Sequence, residues 1–256
     1  MPGGRVSFDV EGSVARLTID NPPLNILTND VRQGMLAAIN SVEQQPKVKV
    51  IVFRGAGDRA FSVGSDIREF PADEAGGVAK IRFEQHLYNR LGHLPQVTIV
   101  RLHGHVLGGG AELMLACDLR IADDTVQIGF PEIRLGALPA AGGMNRLVHA
   151  IGPALARQLI LTGEPISAAE ALGCGLINKV VPSTELDQAV SSTAAQLAKA
   201  PSDALRLAKR CIDAVSRDPR VDTLEAEAFA ELYRGKNLRE GLAAFLAKRE
   251  PEFDRH

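Results

Sequence analysis

The chain has 256 residues, of which 45% are hydrophobic and 23% charged, the balance of a soluble globular protein with a sizeable core. A net charge of −2 gives no electrostatic reason to expect nucleic acid, and the absence of Trp with 4% aromatic residues argues against a base-stacking platform. Cys117, Cys174 and Cys211 are scattered without CxxC spacing, which suits reduced thiols in a cytoplasmic protein; no signal-like block opens the chain, and no apolar run reaches the ~18 residues of a membrane span.

Residues 6–19 alternate apolar and polar around Glu11-Gly12, which predicts two strands and a turn. Asn21-Pro22-Pro23 stops the pattern, because proline has no N–H to donate to a ladder. Thr28 then caps a helix whose apolar face carries Val31, Met35, Ala38, Ile39 and Val42. Residues 49–54 form a buried strand, 56–67 a glycine-bearing loop, and 71–77 a loop or flap. A helix is expected over 78–91 and a strand over 97–102; 104–110 is a glycine-rich stretch, and a helix is expected over 111–117. Short strands are expected over 119–122 and 126–130. From residue 142 the pattern is almost wholly helical: 144–151, 153–161, 167–172, 185–199, 204–215, 224–233 and 237–249. This order predicts an α/β fold with ligand loops at strand ends. Ala200-Pro201-Ser202 sets a boundary between a core of residues 1–200 and a helical region of residues 201–256.

Two glycine-bearing stretches follow strands, residues 61–67 (FSVGSDI) and 103–112 (HGHVLGGGAE). One free N–H from each would suffice to hold charge developing on a thioester oxygen. Neither stretch fits GxxxxGK[ST], and no GxGxxG opens the first strand–helix unit, so nucleotide cradles of those kinds are not expected. Tight packing at a strand-to-helix turn is the plain alternative. Glu112 lies just inside the helix after the glycine run, where an acid also complements the helix dipole. Glu132 follows Phe130-Pro131, where it also reads as a surface or capping acid. Together they offer one carboxylate to deprotonate water and one acid to protonate the neighbouring carbon. Residues 138–143 (LPAAGG) set a turn before a helix. His103 and His105 lack further ligands at metal spacing, so no metal is expected. Asp66 and Asp118 read as holders of backbone N–H groups. Gly64-Ser65 is not GxSxG, which disfavours a serine hydrolase.

These residues resemble the enoyl-CoA hydratase/isomerase (crotonase) superfamily. Residues 61–67 are similar to its F-[SA]-x-G-[AS]-D-[IL] loop. Residues 104–118 (GHVLGGGAELMLACD) resemble G-x-x-x-G-G-G-x-E-L-x-L-x-C-D. Residues 130–143 (FPEIRLGALPAAGG) resemble a compressed F-x-x-P-E-x-x-x-G-x-x-P-G-x-G-G, with Ala141 beside the glycines. Shorter matches fall at 21–25, 161–172, 175–181 and 240–249, so the resemblance runs from about residue 6 to 253 in order. It implies a spiral of ββα units with a helical C-terminal trimerisation region, the trimers usually paired into hexamers. It implies an acyl-CoA substrate, with coenzyme A part of the substrate and no separate cofactor. The backbone N–H groups of Ser65 and Gly109 would form an oxyanion hole, Ser65 standing where alanine is commoner. Val63, Ser65, Asp66, Ile67 and Arg68, with Gly109, would line the coenzyme A thioester. Phe245 and Lys248 would reach a neighbouring subunit's coenzyme A, Lys248 toward phosphate. Glu112 and Glu132 fill both acid positions of the hydratase-like members, which implies hydration of a 2-enoyl-CoA to a 3-hydroxyacyl-CoA. The alternatives on the same scaffold are an enoyl-CoA isomerase, a dehydratase, and a non-catalytic module that binds RNA or a coenzyme A ester.

Overall fold

The computed structural model describes residues 5–214 and 221–254. The predicted hairpin forms from β1 (Arg5–Glu11) and β2 (Val14–Asp20), antiparallel, with Phe8 opposite Leu17 and Gly12 turning the chain at φ +61. Thr28 caps α1 (Asn29–Glu43): its side chain accepts from the Val31 N–H. The apolar stripe predicted for α1 is buried, and so, against expectation, is Arg32.

Three ββα units follow. Their strands are β3 (Val50–Gly55) with β4 (Ala60–Ser62), β5 (Val97–Leu102) with β6 (His105–Leu107), and β7 (Leu119–Asp123) with β8 (Gln127–Gly129). Their helices are α2 (Glu74–Gly92), α3 (Gly109–Leu115) and α4 (Gly143–Thr162). The first strand of each unit joins a six-stranded sheet, β1-β2-β3-β5-β7-β10, where β10 is Lys179–Val181. The second strand joins a four-stranded sheet, β4-β6-β8-β9, where β9 is Ile166–Ser167. The β3, β5 and β7 pairings are parallel, as are those of β4, β6 and β8. The chain therefore winds as a spiral, and the three β4, β6 and β8 ends point the same way.

The two faces of β3 go to different cores. Ile51 and Phe53 enter the main cluster with Met35, Tyr88 and Phe61. Val50 and Val52 meet Ile99, Ile121 and the inner face of α6 (Leu186–Lys199), through Leu186, Ala189, Val190 and Ala194. Burying a side chain such as Leu186 stabilises by about 1.5–3 kcal/mol. The remaining helices are α5 (Ala168–Gly173), α7 (Ser202–Ala214), α8 (Val221–Arg234) and α9 (Asn237–Ala247). Ser167 and Glu170 close a capping box on α5. The helix expected over 204–215 is α7; Val215 lies outside the described residues.

Three expectations need correction. The stretch 56–67 is not all loop, since Ala60–Ser62 is β4; three residues are too short to show a period. The stretch 71–77 is not all loop either. Asp73 accepts from the Gly76 N–H and starts α2 at Glu74, so Gly76 and Gly77 belong to its first turn. Nor is the region after 142 all helical, because β9 and β10 are completed by distant partners, β8 and β7.

Candidate active site

The loops that leave β4 and β6 meet at their carboxyl ends, where open α/β sheets bind ligands. Gly64 permits this meeting. Its φ is +91, and a β-carbon there would stand 2.8 Å from the Gly109 nitrogen and 3.0 Å from the Leu107 oxygen. Ser65 follows directly. Its Oγ lies 3.6 Å from the point a β-carbon on Gly109 would occupy. Leu27 forms a parallel bridge with Ser65, and its N–H donates to the Gly64 oxygen at 2.8 Å, which ties this loop to the start of α1. Gly109 is the first residue of α3, capped by Gly108 with no side-chain acceptor. Its N–H therefore has no partner within the helix. Ser65 and Gly109, predicted from separate motifs, are brought side by side.

Glu112 points inward from the first turn of α3, 3% exposed. The N–H groups of Ala141 and Gly143 donate to its Oε1 at 2.8 and 2.9 Å. Any side chain at 143 would displace that carboxyl, since a β-carbon there would stand 2.6 Å from Oε1. The 138–143 turn thus faces a protein carboxylate. Burial, and then the charge of Glu132, push the Glu112 carboxyl up to about 8; the Gly143 and Ala141 amides pull the other way.

Glu132 sits in a short 3-10 turn (Pro131–Leu135) directly after β8. Its Oε1 is 3.3 Å from where a β-carbon on Gly108 would lie, so it overhangs the residue before Gly109. Its Oε2 is buried without a hydrogen-bond partner. Burial raises its pKa as well. Two carboxyls that both resist ionising, Glu112 also raised by the charge of Glu132, therefore lie beside the Ser65–Gly109 pair.

The other predicted residues are placed as follows. The Val63 N–H donates to the Leu24 oxygen at 3.2 Å. Asp66 caps a 3-10 turn (Ile67–Glu69) by accepting from the Arg68 N–H, and its carboxylate pairs with the Arg68 guanidinium at 2.6 Å. That guanidinium holds the Asp66 carboxyl down to about 2. Ile67 is exposed beside this turn, and so is the Arg68 side chain. Asp118 accepts from Thr98, as its sequence setting suggested. Phe245 and Lys248 stand at the end of α9, Phe245 83% exposed. No hydrogen bond or ion pair ties them to the Ser65–Gly109 group among the described residues.

The sequence reading missed Arg32, Glu84, Lys80 and Tyr88. Arg32 Nη2 donates to Ser65 Oγ at 2.7 Å and pairs with Glu84 at 3.1 Å, and Lys80 pairs with Glu84 too. The Tyr88 hydroxyl donates to the Gly109 oxygen at 3.0 Å. The one available signal was a charged residue on the apolar stripe of α1, one position from Val31. Among the described residues no cluster of His, Cys, Asp or Glu could hold a metal, and no helix is long and apolar enough to cross a membrane.

Paired backbone donors beside one buried and one half-buried acid, on a spiral of ββα units, define a crotonase-type scaffold. The enoyl-CoA hydratase/isomerase family profile matches residues 9–256, and the chain belongs to that family. A probable enoyl-CoA hydratase of Bacillus subtilis (strain 168) is 36% identical over 253 residues, 97% of this chain and 98% of the relative. A short-chain-enoyl-CoA hydratase of Clostridium acetobutylicum is 34% identical over 254 residues, 96% of each chain. The crystal structure of an enoyl-CoA hydratase from Bacillus anthracis superposes with a TM-score of 0.92 at 31% identity, covering 97% of this chain and 98% of that one.

Proposed function

We propose that the protein is a 2-enoyl-CoA hydratase that adds water across the C2=C3 bond of an enoyl-CoA thioester. The carrying observation is the pair of carboxyls, Glu112 buried and Glu132 half-buried with its Oε2 enclosed, beside the adjoining Ser65 and Gly109 loops. In the reaction the thioester oxygen accepts from the Ser65 and Gly109 N–H groups. Glu112, held by the Ala141 and Gly143 amides, takes a proton from water as the water oxygen bonds to C3. The C2=C3 electron pair moves toward the thioester, and the enolate-like oxygen is held by the two amides, an effect worth about 3–4 kcal/mol per donor. Glu132 then delivers a proton to C2; Glu112 releases its proton to solvent and Glu132 takes one up from it, which restores the starting pair. Burial raises both carboxyls, and a carboxyl that keeps its proton to higher pH suits delivery of that proton to carbon.

Coenzyme A enters as part of the substrate, and the reaction takes no separate cofactor or metal. Val63 and residues Asp66–Arg68 lie along the coenzyme A path. Phe245 and Lys248 serve a neighbouring subunit's coenzyme A in a homotrimer or a hexamer of paired trimers. The exposure of Phe245, Leu246 and Leu242 along α9 supports that assembly. The protein works in the cytoplasm, which the reduced, scattered cysteines support.

The test is turnover of crotonyl-CoA, run beside double-bond migration of a 3-enoyl-CoA. Hydration by the wild type, lost in Glu112→Gln and Glu132→Gln with thioester binding retained, supports the proposal. Migration without hydration points to an isomerase. Binding without turnover of any acyl-CoA points to a non-catalytic module.

A further inference from the structure

Arg32 is the least expected residue near the site. Its side chain is 1% exposed on a helix face otherwise filled by Val31, Met35, Ala38 and Ile39. A buried ion pair is weak evidence for stability, because apolar residues of similar volume usually do as well. The reason for a charge here must lie in what it holds.

Three groups hold the guanidinium. Nη1 donates to the Leu27 oxygen, Nη2 donates to Ser65 Oγ at 2.7 Å, and Nη2 pairs with Glu84 Oε1 at 3.1 Å. Leu27 and Ser65 are the two halves of the bridge that ties the first donor loop to α1. Arg32 therefore clamps both sides of it. Glu84, 3% exposed and also paired with Lys80, fixes the clamp to α2. Four residues along the same helix face, the Tyr88 hydroxyl donates to the Gly109 oxygen at 3.0 Å. One face of α2 is thus connected to both loops, to Ser65 through Arg32 and to Gly109 through Tyr88. Nη2 itself lies 3.6 Å from where a β-carbon on Gly109 would be.

We infer that Arg32 is a positioning residue for the oxyanion-binding pair: anchored on Glu84, its guanidinium grips the Ser65 hydroxyl and sets the Ser65 amide against that of Gly109. This rests on the hydratase reading. It also gives the serine at 65 a purpose, since alanine would offer the same N–H but no handle. The guanidinium acts through Ser65 and touches no substrate. Losing it should therefore lower kcat, where the oxyanion develops, more than it raises KM.

The experiment compares crotonyl-CoA kinetics and thermal unfolding of the wild type, R32M, R32K, S65A and the S65A/R32M double variant. R32M and S65A should each lower kcat about tenfold or more with KM within about threefold. The double variant should be no slower than R32M, because both changes cut one contact. R32K should recover part of the loss. A folded R32M with wild-type kcat overturns the inference, and so does a double variant whose loss is the product of the two single losses. If R32M does not fold, S65A decides, since it removes the same contact from the other end: a wild-type kcat in S65A overturns the inference. Failure of the hydratase reading looks different, as absence of hydration by the wild type, and overturns the inference as well.

Discussion

Replacing Glu112 by Gln should abolish hydration and yet make the fold more stable, with a gain that grows with pH. The Glu112 carboxyl is pushed up to about 8 from its ordinary 4.5, chiefly by burial. The folded protein therefore holds this proton more tightly than the unfolded chain does. Below pH 4.5 both states are protonated and the contribution is fully present. It is lost progressively as pH rises from 4.5 through 8. Each pH unit across that interval removes about 1.4 kcal/mol, so the loss is about 3 kcal/mol by pH 7 and roughly 5 kcal/mol above pH 8. A Gln side-chain oxygen can accept from the Ala141 and Gly143 amides in place of Oε1, so the turn keeps its shape. The assay is urea unfolding of both proteins at pH 5, 7 and 9 and one protein concentration. The two stability curves should nearly meet at pH 5 and separate as pH rises. Parallel curves, or a variant that weakens relative to wild type at pH 9, would refute the claim that the active site stores the cost of a buried carboxylate.

Gly64→Ala forces a side chain into φ +91 and against the Gly109 amide; hydration should fall by about 100-fold, with roughly 1–3 kcal/mol of stability lost in thermal unfolding. Gly143→Ala drives a methyl group into the Glu112 carboxyl. Its kcat should drop by about 100-fold in steady-state assays while thioester binding, read by calorimetry, persists. The acid limb of the kcat/KM pH profile should lie well above the ordinary carboxylate range, because Glu112 must lose its proton to act as the base and its carboxyl is raised to about 8. Glu132→Gln removes a negative neighbour and should lower the Glu112 pKa, read as a smaller fall in stability between pH 5 and pH 9 in the same urea assay.

What could be read from the sequence were the groups whose chemistry is local. Thr28 and the turn at Gly12 announce themselves through neighbours a few residues away. Glu112 and Glu132 were legible because each follows a glycine or proline signal that ends a strand. The strands β4, β6 and β9 were not, because two or three residues show no period and exist only through partners such as Ile128 for Ile166. The beginning of α2 was hidden by Gly76 and Gly77, which signal a turn locally but are overruled by the Asp73 cap and by packing. The Arg32–Glu84 pair joins residues 52 positions apart, 84 less 32, on two helices. Periodicity places Arg32 on a buried face but cannot name the carboxylate that neutralises it.

The most direct measurement is mass spectrometry of the product formed from crotonyl-CoA in 18O-labelled water and, separately, in deuterium oxide. A 3-hydroxyacyl-CoA carrying one solvent oxygen at C3 and one solvent hydrogen at C2 is the expected product. Recovery of the enoyl thioester unchanged, or with its double bond moved and no oxygen gained, would contradict the assignment of Glu112 and Glu132 to water addition.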